Sequence, residues 1–304
     1  MEINGVLIDD TYCEAFPGWF CRILVTAKNK KWLDICAQVT TGFATSTIHC
    51  PAEAGIEKYV SENDTPDGRP GVILLFFVKG KDNIDSLLLD RIGQCVLTCP
   101  TTACFDAFPQ EYDPNAKMVE VKTGFKLKFF GDKFEEKDET TYNFVAYKIP
   151  VMDGFFIVQE MFKGGKGIAG GNFLIHGIDQ NSTLEAAERA IEAIKNVDLV
   201  ICPFPGGIAR SGSKVGSKYS FLGASTNHPL CPTLKDKIDD SELKEGENCV
   251  YEIIIDGIKE ESIKQAMKVG IKAACQVSGV KRISAGNYGG KLGKFYYKLL
   301  EVLS

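Results

Sequence analysis

The chain has 304 residues, 44% of them hydrophobic and 25% charged, with a formal net charge of −5 and an isoelectric point near 5.4. That is enough chain for one large or two ordinary domains, with the composition of a globular protein. The acidic balance argues against nucleic acid as a main partner, and no apolar run approaches the roughly 20 residues needed to span a bilayer. The amino terminus, Met-Glu-Ile-Asn-Gly, has no basic run followed by an apolar core, so no secretory leader is expected. Eleven cysteines without any Cys-x-x-Cys, several of them inside apolar runs, behave as small hydrophobes and predict a reducing, cytoplasmic setting.

In chain order, residues 19–27 predict a strand, and Trp32, Ile35, Cys36 and Val39 fall at helical spacing over 29–39. Residues 43–49 predict a second strand, ending in the Cys50-Pro51 turn. Thr65-Pro66-Asp67-Gly68 is a turn signal. Val72–Val78 is apolar on both faces, which predicts a strand covered on both sides, with the second cover supplied by the other lobe or another subunit. A helix is expected over 82–95, a strand over 124–131, and an exposed acidic turn over 132–141 leading to residues 142–150. The boundary between two lobes is placed at residue 150, giving residues 1–150 and 151–304.

The second half repeats this order. Residues 170–178 predict a strand, Ser182-Thr-Leu-Glu185 a capping box opening a helix to Lys195, and residues 197–201 a strand running into Cys202-Pro203-Phe204-Pro205-Gly206-Gly207. Residues 209–248 form a long insertion rich in Gly, Ser and Lys. A strand over 250–257, a helix over 260–276 and closing strands over 282–285 and 294–300 follow. Cys50-Pro51 matches Cys202-Pro203, and Gly55-Ile56 matches Gly207-Ile208, at an offset of 202 − 50 = 152 residues. A shared order of elements around a half-chain offset predicts an internal duplication. The expected fold is α+β: two related ferredoxin-like sandwich lobes, each with the split βαβ order.

The 250–257 strand carries the residue of most chemical interest. Alternation places Tyr251, Ile253 and Ile255 on one face and Glu252, Ile254 and Asp256 on the other. Asp256, beside Gly257, is expected near a turn and near water. Glu252, beside Ile254, is expected to be partly buried, and a carboxyl there has a raised pKa suited to proton exchange near neutrality. The bland alternative is a solvated strand glutamate or a structural hydrogen bond.

Other motifs are weaker. Gly165-Lys-Gly-Ile-Ala-Gly170 matches a dinucleotide fingerprint by letter but precedes a strand, so it is read as a flexible loop whose glycines admit close approach. Cys95, Cys99 and Cys104 lack the spacing of an iron–sulfur site. Histidines 49, 176 and 228 have no metal-ligand spacing, so no metal is expected. A thiol nucleophile at Cys50 or Cys202 stays open. Arg210, Lys214 and Lys218 lie on a Gly/Ser loop suited to carboxylate or phosphate groups, and so does Lys291 after Gly286-Asn287-Tyr288-Gly289-Gly290; an ordinary solvated loop is the alternative.

Six longer motifs go further: residues 50–59 (Cys-Pro-Ala-Glu-Ala-Gly-Ile-Glu-Lys-Tyr), 65–71, 93–103, 124–132, 203–208 and 283–293 (Ile-Ser-Ala-Gly-Asn-Tyr-Gly-Gly-Lys-Leu-Gly). Through them the whole chain resembles the formylmethanofuran:tetrahydromethanopterin formyltransferases. The resemblance implies a cytoplasmic enzyme of one-carbon metabolism and methanogenesis. It would move a formyl group between N-formylmethanofuran and N5 of tetrahydromethanopterin through a ternary complex and a tetrahedral intermediate. It further implies no permanently bound cofactor, a homotetramer built as a dimer of dimers, and a buried glutamate on a second-lobe strand as catalytic group, which is Glu252 by motif, its raised-pKa carboxyl either donating to the oxyanion or shuttling the proton. Glu53, Gln94 and Asn287 are polar groups inside those motifs. Cys50, Pro51, Pro203, Pro205, Gly206 and Gly207 would form turns offering backbone amides to the formyl oxygen. Arg210, Lys214, Lys218 and Lys291 would face the acidic tails of the carriers.

Two competing readings remain from the sequence. One is a non-catalytic subunit or paralogue that binds the formyl carrier in a larger complex; the other is an electron carrier. The first would bind carrier without transfer, and the second would hold iron.

Overall fold

The computed structural model describes all 304 residues, which form two compact units: Pro17–Ile168, and Met1–Phe16 together with Ala169–Ser304. The architecture is mixed α+β. No helix is long and apolar enough to cross a membrane.

In the Pro17–Ile168 unit the elements are β1 (Tyr12–Thr26, of which the residues from Pro17 belong here), α1 (Lys30–Thr41), β2 (Glu53–Val60), β3 (Gly71–Val78), α2 (Asn83–Arg91) and β4 (Ala103–Asp106). Pairing gives the order β4-β1-β3-β2, every neighbour antiparallel. Leu33, Cys36 and Ala37 of α1 and Ile84, Leu87 and Leu88 of α2 pack against Ile23, Val25, Leu74 and Phe76 on one face. The opposite face, with Leu24, Ile73 and Phe105, is covered by Tyr142 and Phe144 of the same unit. Every residue of β3 is buried, as a strand apolar on both faces requires, and much of its second cover comes from its own unit.

Three local expectations differ here. Residues 43–49 are not a strand. Ser46 organises a turn, its carbonyl accepting from the amides of His49 and Cys50 and its hydroxyl from Ile48. Turn chemistry therefore overrides the β-branched run, and the strand begins only at Glu53. Residues 123–131 are helical, Thr123–Leu127 continuing as a tight turn to Gly131. Phe125 and Phe129 meet edge-on at 5.5 Å, the i, i+4 contact of a helix. Gly124 lies so close to Gln159 that any Cβ would stand 1.9 Å from its carbonyl oxygen. The Gly165–Gly170 segment is not a loop but part of β5 (Phe162–Gly177), with Gly165 paired to Met118. A side chain at Gly165 would strike Tyr112, so the close approach it permits is to a neighbouring ring.

The Glu252 unit contains the later part of β5, α3 (Gln180–Ile194), β6 (Val200–Ile201), β7 (Ile208–Ala209), β8 (Cys249–Gly257), α4 (Glu260–Ala274), β9 (Val280–Ser284) and β10 (Phe295–Lys298). The sheet order is β9-β5-β8, with β6 and β7 both on the far edge of β8. Val6–Ile8 extends the sheet beyond β9 in parallel. Helix α3 starts at Gln180 with Asp179 as its cap, accepting from the Ser182 amide, three residues before the expected capping box. The closing strand stops at Lys298, and Leu299–Leu303 is helical.

Helices α3 and α4 cover one face of this sheet. Gly171 and Gly257 allow the approach: a Cβ on either would stand 2.6 or 2.5 Å from Ile263 of α4. The other face carries Asn172, Leu174 and His176 from β5, Glu252, Ile254 and Asp256 from β8, and Arg282 and Ser284 from β9. At one end of it Arg282 grips Glu247 with two bonds of 2.6 and 2.7 Å, and Asp9 with a third of 2.6 Å. His176 fills the same cluster, bonded to Ser284 at 2.8 Å.

Candidate active site

Glu252 stands in the middle of β8, with buried Tyr251 and Ile253 turned towards the helices and Glu252 turned away from them. It lines a recess of about 430 Å³ within its unit. Leu174, Leu230 and Val250 give this recess an apolar wall, and Gln180, Asn227, Asn248 and Thr233 give it polar groups. Arg210 and Cys231 also reach it. The register explains Arg210: Ala209 pairs with Glu252 across β7–β8, so the next residue emerges at the same end. Segments 209–212 and 227–233 of the expected insertion therefore form much of the wall.

Burial pushes the Glu252 carboxyl up to about 7, and no cation opposes it. Arg210 lines the same recess and is exposed. No side-chain hydrogen bond within the chain engages Glu252. Glu252 is thus a carboxyl whose pKa burial raises towards neutrality, beside an open polar recess. Asp256 differs from expectation. It is 0% exposed and accepts from the Gly170 amide at 2.8 Å, and β8 stays paired through the expected turn, with Ile201 opposite Asp256 and Val200 opposite Gly257.

The remaining sequence candidates divide between the units. Arg210 alone joins Glu252 in the recess. Lys214 and Lys218 lie on or beside the small Ser213–Val215/Ala224–Thr226 ribbon, with Lys218 near the Asp240 carboxylate. Asn287 ties its own loop: its amide donates to the Tyr12 carbonyl at 3.2 Å and its oxygen accepts from Gly289 at 3.1 Å. Lys291 is exposed. Pro203 is buried, Pro205 and Gly206 are exposed, and Gly207 is buried with φ +83°, where a Cβ would meet Ile191 at 2.5 Å. The Gly207 amide donates to the Phe204 carbonyl at 2.7 Å and the Cys50 amide to Ser46 at 2.7 Å. The Cys50 and Gly207 amides are therefore committed inside their own turns. Cys50, Pro51, Glu53 and Gln94 belong to the other unit: Glu53 is buried at the start of β2, and Gln94 is exposed. That unit has its own recess of about 300 Å³, lined by Trp19, Lys81, Lys117, Met118, Val119 and Lys166 and lacking any carboxyl. Sequence reasoning missed Gln180, Asn227 and Asn248 in the Glu252 recess, since they are distant in the chain and carry no motif signal.

The two candidate thiols part company. Burial, then the nearby Asp256, pushes Cys202 far above the normal thiol range. Cys50 is partly exposed. Burial works against its ionisation, but hydrogen bonds at Ser46 and Thr45 and the Arg91 charge outweigh it and hold the thiol below its usual value. Iodoacetamide is expected to label Cys50 at least tenfold faster than Cys202 in the folded protein, as read by peptide mass spectrometry; equal rates would contradict this assignment.

A two-unit α+β chain with a carboxyl of raised pKa over a polar recess has the equipment of a group-transfer enzyme, and the chain is a transferase. Residues 1–151 match the family model described as formylmethanofuran-tetrahydromethanopterin formyltransferase, and residues 154–302 match that of the FTR proximal lobe. The chain belongs to the formylmethanofuran–tetrahydromethanopterin formyltransferase family. Its similarity to the Methanocaldococcus jannaschii enzyme of that name is 56% identity, covering 99% of both chains. For the Methanothermus fervidus enzyme the figure is 55%, covering 99% of this chain and 100% of the relative. The solved Methanosarcina barkeri formyltransferase superimposes with a TM-score of 0.93 at 52% identity, covering 99% of this chain and 100% of that one. A chain of the formyltransferase/hydrolase complex from Methylorubrum extorquens, solved with methylofuran, gives 0.94 at 40% identity, covering 100% and 99%.

Proposed function

We propose that the chain transfers the formyl group between N-formylmethanofuran and N5 of tetrahydromethanopterin, with Glu252 as the proton-exchanging group. The raised pKa of Glu252 beside the recess carries this reading. In a ternary complex the N5 lone pair attacks the formyl carbon, and the carbonyl pair moves to oxygen. The tetrahedral intermediate collapses as the bond to the methanofuran amine breaks. That nitrogen takes the proton from Glu252, and the Glu252 carboxylate then takes the proton from N5. A poor leaving group needs its proton at departure, which is why an acid that is still protonated near pH 7 suits the step. Holding both carriers in one site removes much of the entropic cost of their meeting. Arg210 faces an acidic tail, with Lys214, Lys218 and Lys291 as further cations for the carriers. Both carriers are substrates, and no other cofactor is part of the reaction.

We infer further that each half is a ferredoxin-like lobe, because both units carry the strand order 4-1-3-2 around two helices, and that the ancestral duplication joined at residue 150. A cytoplasmic homotetramer, a dimer of dimers, is the assembly we expect. The Methylorubrum neighbour favours a second reading, in which the chain serves inside a larger complex. An absorbance assay with the purified chain and both carriers separates the two: transfer by the chain alone supports the first, and carrier binding without transfer supports the second.

The same group makes a stability prediction. An acid whose folded pKa is raised costs stability as pH climbs from its unfolded value of 4.5 to about 7, because the unfolded chain ionises first. The gap is worth roughly 3 kcal/mol. Glu252→Gln is therefore expected to melt higher than the parent at pH 8 and no higher at pH 4.5; the opposite ordering in calorimetry contradicts the raised pKa of Glu252.

A further inference from the structure

The recess of the Pro17–Ile168 unit takes no part in the proposed proton transfer, and its charge runs against that of the chain. Lys81, Lys117 and Lys166 surround it, Trp19, Met118 and Val119 give it apolar surface, and it holds about 300 Å³. The protein carries 40 acidic side chains against 35 lysines and arginines, yet no carboxylate lines this recess. Lys30, Lys148 and Lys298 each pair with an acid of the chain, Asp34, Asp138 and Glu301 in turn. None of the three recess lysines does.

Two of these cations are held face to face. Gly164 pairs with Val119 and Gly165 with Met118 across antiparallel strands. The next step of that register sets Lys166 opposite Lys117, on the face that Val119 shares. Like charges directly opposite one another cost stability. Three residues earlier the same ribbon sets Lys163 opposite Glu120, the favourable arrangement. The end of the ribbon is nonetheless fixed in place. The Tyr112 hydroxyl accepts from the Lys166 amide at 2.7 Å, and its one proton is shared between the Lys117 and Lys166 carbonyls, each at 3.3 Å. The Tyr112 ring packs edge-on against Phe20 and Phe108, at 5.6 and 4.9 Å. Lys166 Nζ stands 4.3 Å over the ring of Trp19, which is buried.

The donors define the anion. Phosphate sites draw on free backbone amides, and bidentate grips on the arginine fork. Here no arginine lines the recess, and the amides beside the cations are spent: Asn83 donates to Gly80, Ile84 to Lys81 and Lys166 to Tyr112. What is left is three separate point charges around an apolar floor, which suits several carboxylates on one small carbon frame.

We propose that this recess is a binding site for a small polycarboxylate, its carboxylates meeting Lys81, Lys117 and Lys166 and its carbon frame covering Trp19. Binding offsets the repulsion between Lys117 and Lys166, and no covalent step is involved. The site stands independently of the formyl-transfer reading.

Citrate is the probe, titrated into the full-length protein at low ionic strength, with heat and tryptophan emission as readouts. The chain has two tryptophans, so Trp32→Phe leaves Trp19 as the sole reporter. One citrate per chain is expected to bind saturably, to change the Trp19 emission, and to weaken as potassium chloride is added. It should bind at least about tenfold more tightly than inorganic phosphate. Lys117→Gln/Lys166→Gln, at two exposed side chains, is expected to fold and to weaken citrate at least about tenfold. Lys28→Gln/Lys272→Gln removes the same charge at other exposed positions and is expected to leave citrate affinity close to that of the parent. Absence of saturable citrate binding overturns the proposal, as does an equal loss in both double variants or a Trp19 emission that citrate leaves unchanged. Phosphate binding as tight as that of citrate overturns the assignment to polycarboxylates. Formylmethanofuran as competitor identifies the source of the carboxylates: displacement of citrate assigns them to the acidic tail of a carrier, and no displacement assigns them to a free polycarboxylate.

Discussion

Glu252→Gln is expected to fold, to bind formylmethanofuran, and to lose about 10²–10⁴-fold in kcat, the range for removal of a positioned general acid. Glutamine keeps the shape of the side chain and donates hydrogen bonds, but it releases no proton to a departing amine. The pH profile makes the assignment specific. With the acid form productive and the pKa near 7, kcat/KM of the parent should fall as pH rises through about 7. The residual activity of Glu252→Gln should lack that limb. A variant with parental kcat, or a parent flat from pH 6 to 8, would rule out Glu252 as the proton-exchanging group. The effect is large because burial alone sets this pKa: no cation is present to hold the carboxylate ionised.

The second large effect is on stability. Arg282→Ala should cost about 3–5 kcal/mol, the usual result of removing one partner from a buried ion pair. Arg282 is 6% exposed, and its loss strands Glu247, which is 1% exposed, and Asp9. The guanidinium also donates to the Glu242 carbonyl at 3.1 Å, so the same change loosens the end of the 209–248 insertion. Calorimetry of the variant should show a lower melting temperature; a shift of less than about 1 kcal/mol would contradict the account.

The cluster also predicts the direction of acid sensitivity. Burial raises the Glu247 pKa, but the bonds from Arg282 and His176 overcome it and hold the carboxyl well below its ordinary 4.5. Its stabilising contribution is present above pH 4.5 and is lost as pH falls below that. Burial likewise lowers the pKa of His176 beneath 6.5, so the unfolded chain gains a proton first as pH falls, and stability drops in the same direction.

The amino-acid sequence by itself determined the alternation of β8, and with it the face on which Glu252 stands; period-two geometry leaves no freedom once the strand is assigned. The half-chain offset of Cys50-Pro51 and Cys202-Pro203 predicted two related halves, which fits the match of the two halves to two lobe models, and the long motifs determined the family. Local turn chemistry was less visible: Ser46 broke an expected strand, Asp179 displaced the expected cap, and Gly124 admitted a helix where alternation promised a strand. Only the tertiary structure decided which polar residues meet. Arg210 reaches the recess because Ala209 pairs with Glu252, whereas Lys214, Lys218 and Lys291 do not line it. The Tyr288 amide meets Glu14, 274 positions away in the chain. Burial and partnership depend on contacts between distant segments, so the raised pKa of Glu252 and the spent amides of Gly207 and Cys50 follow from packing, which no spacing along the chain encodes.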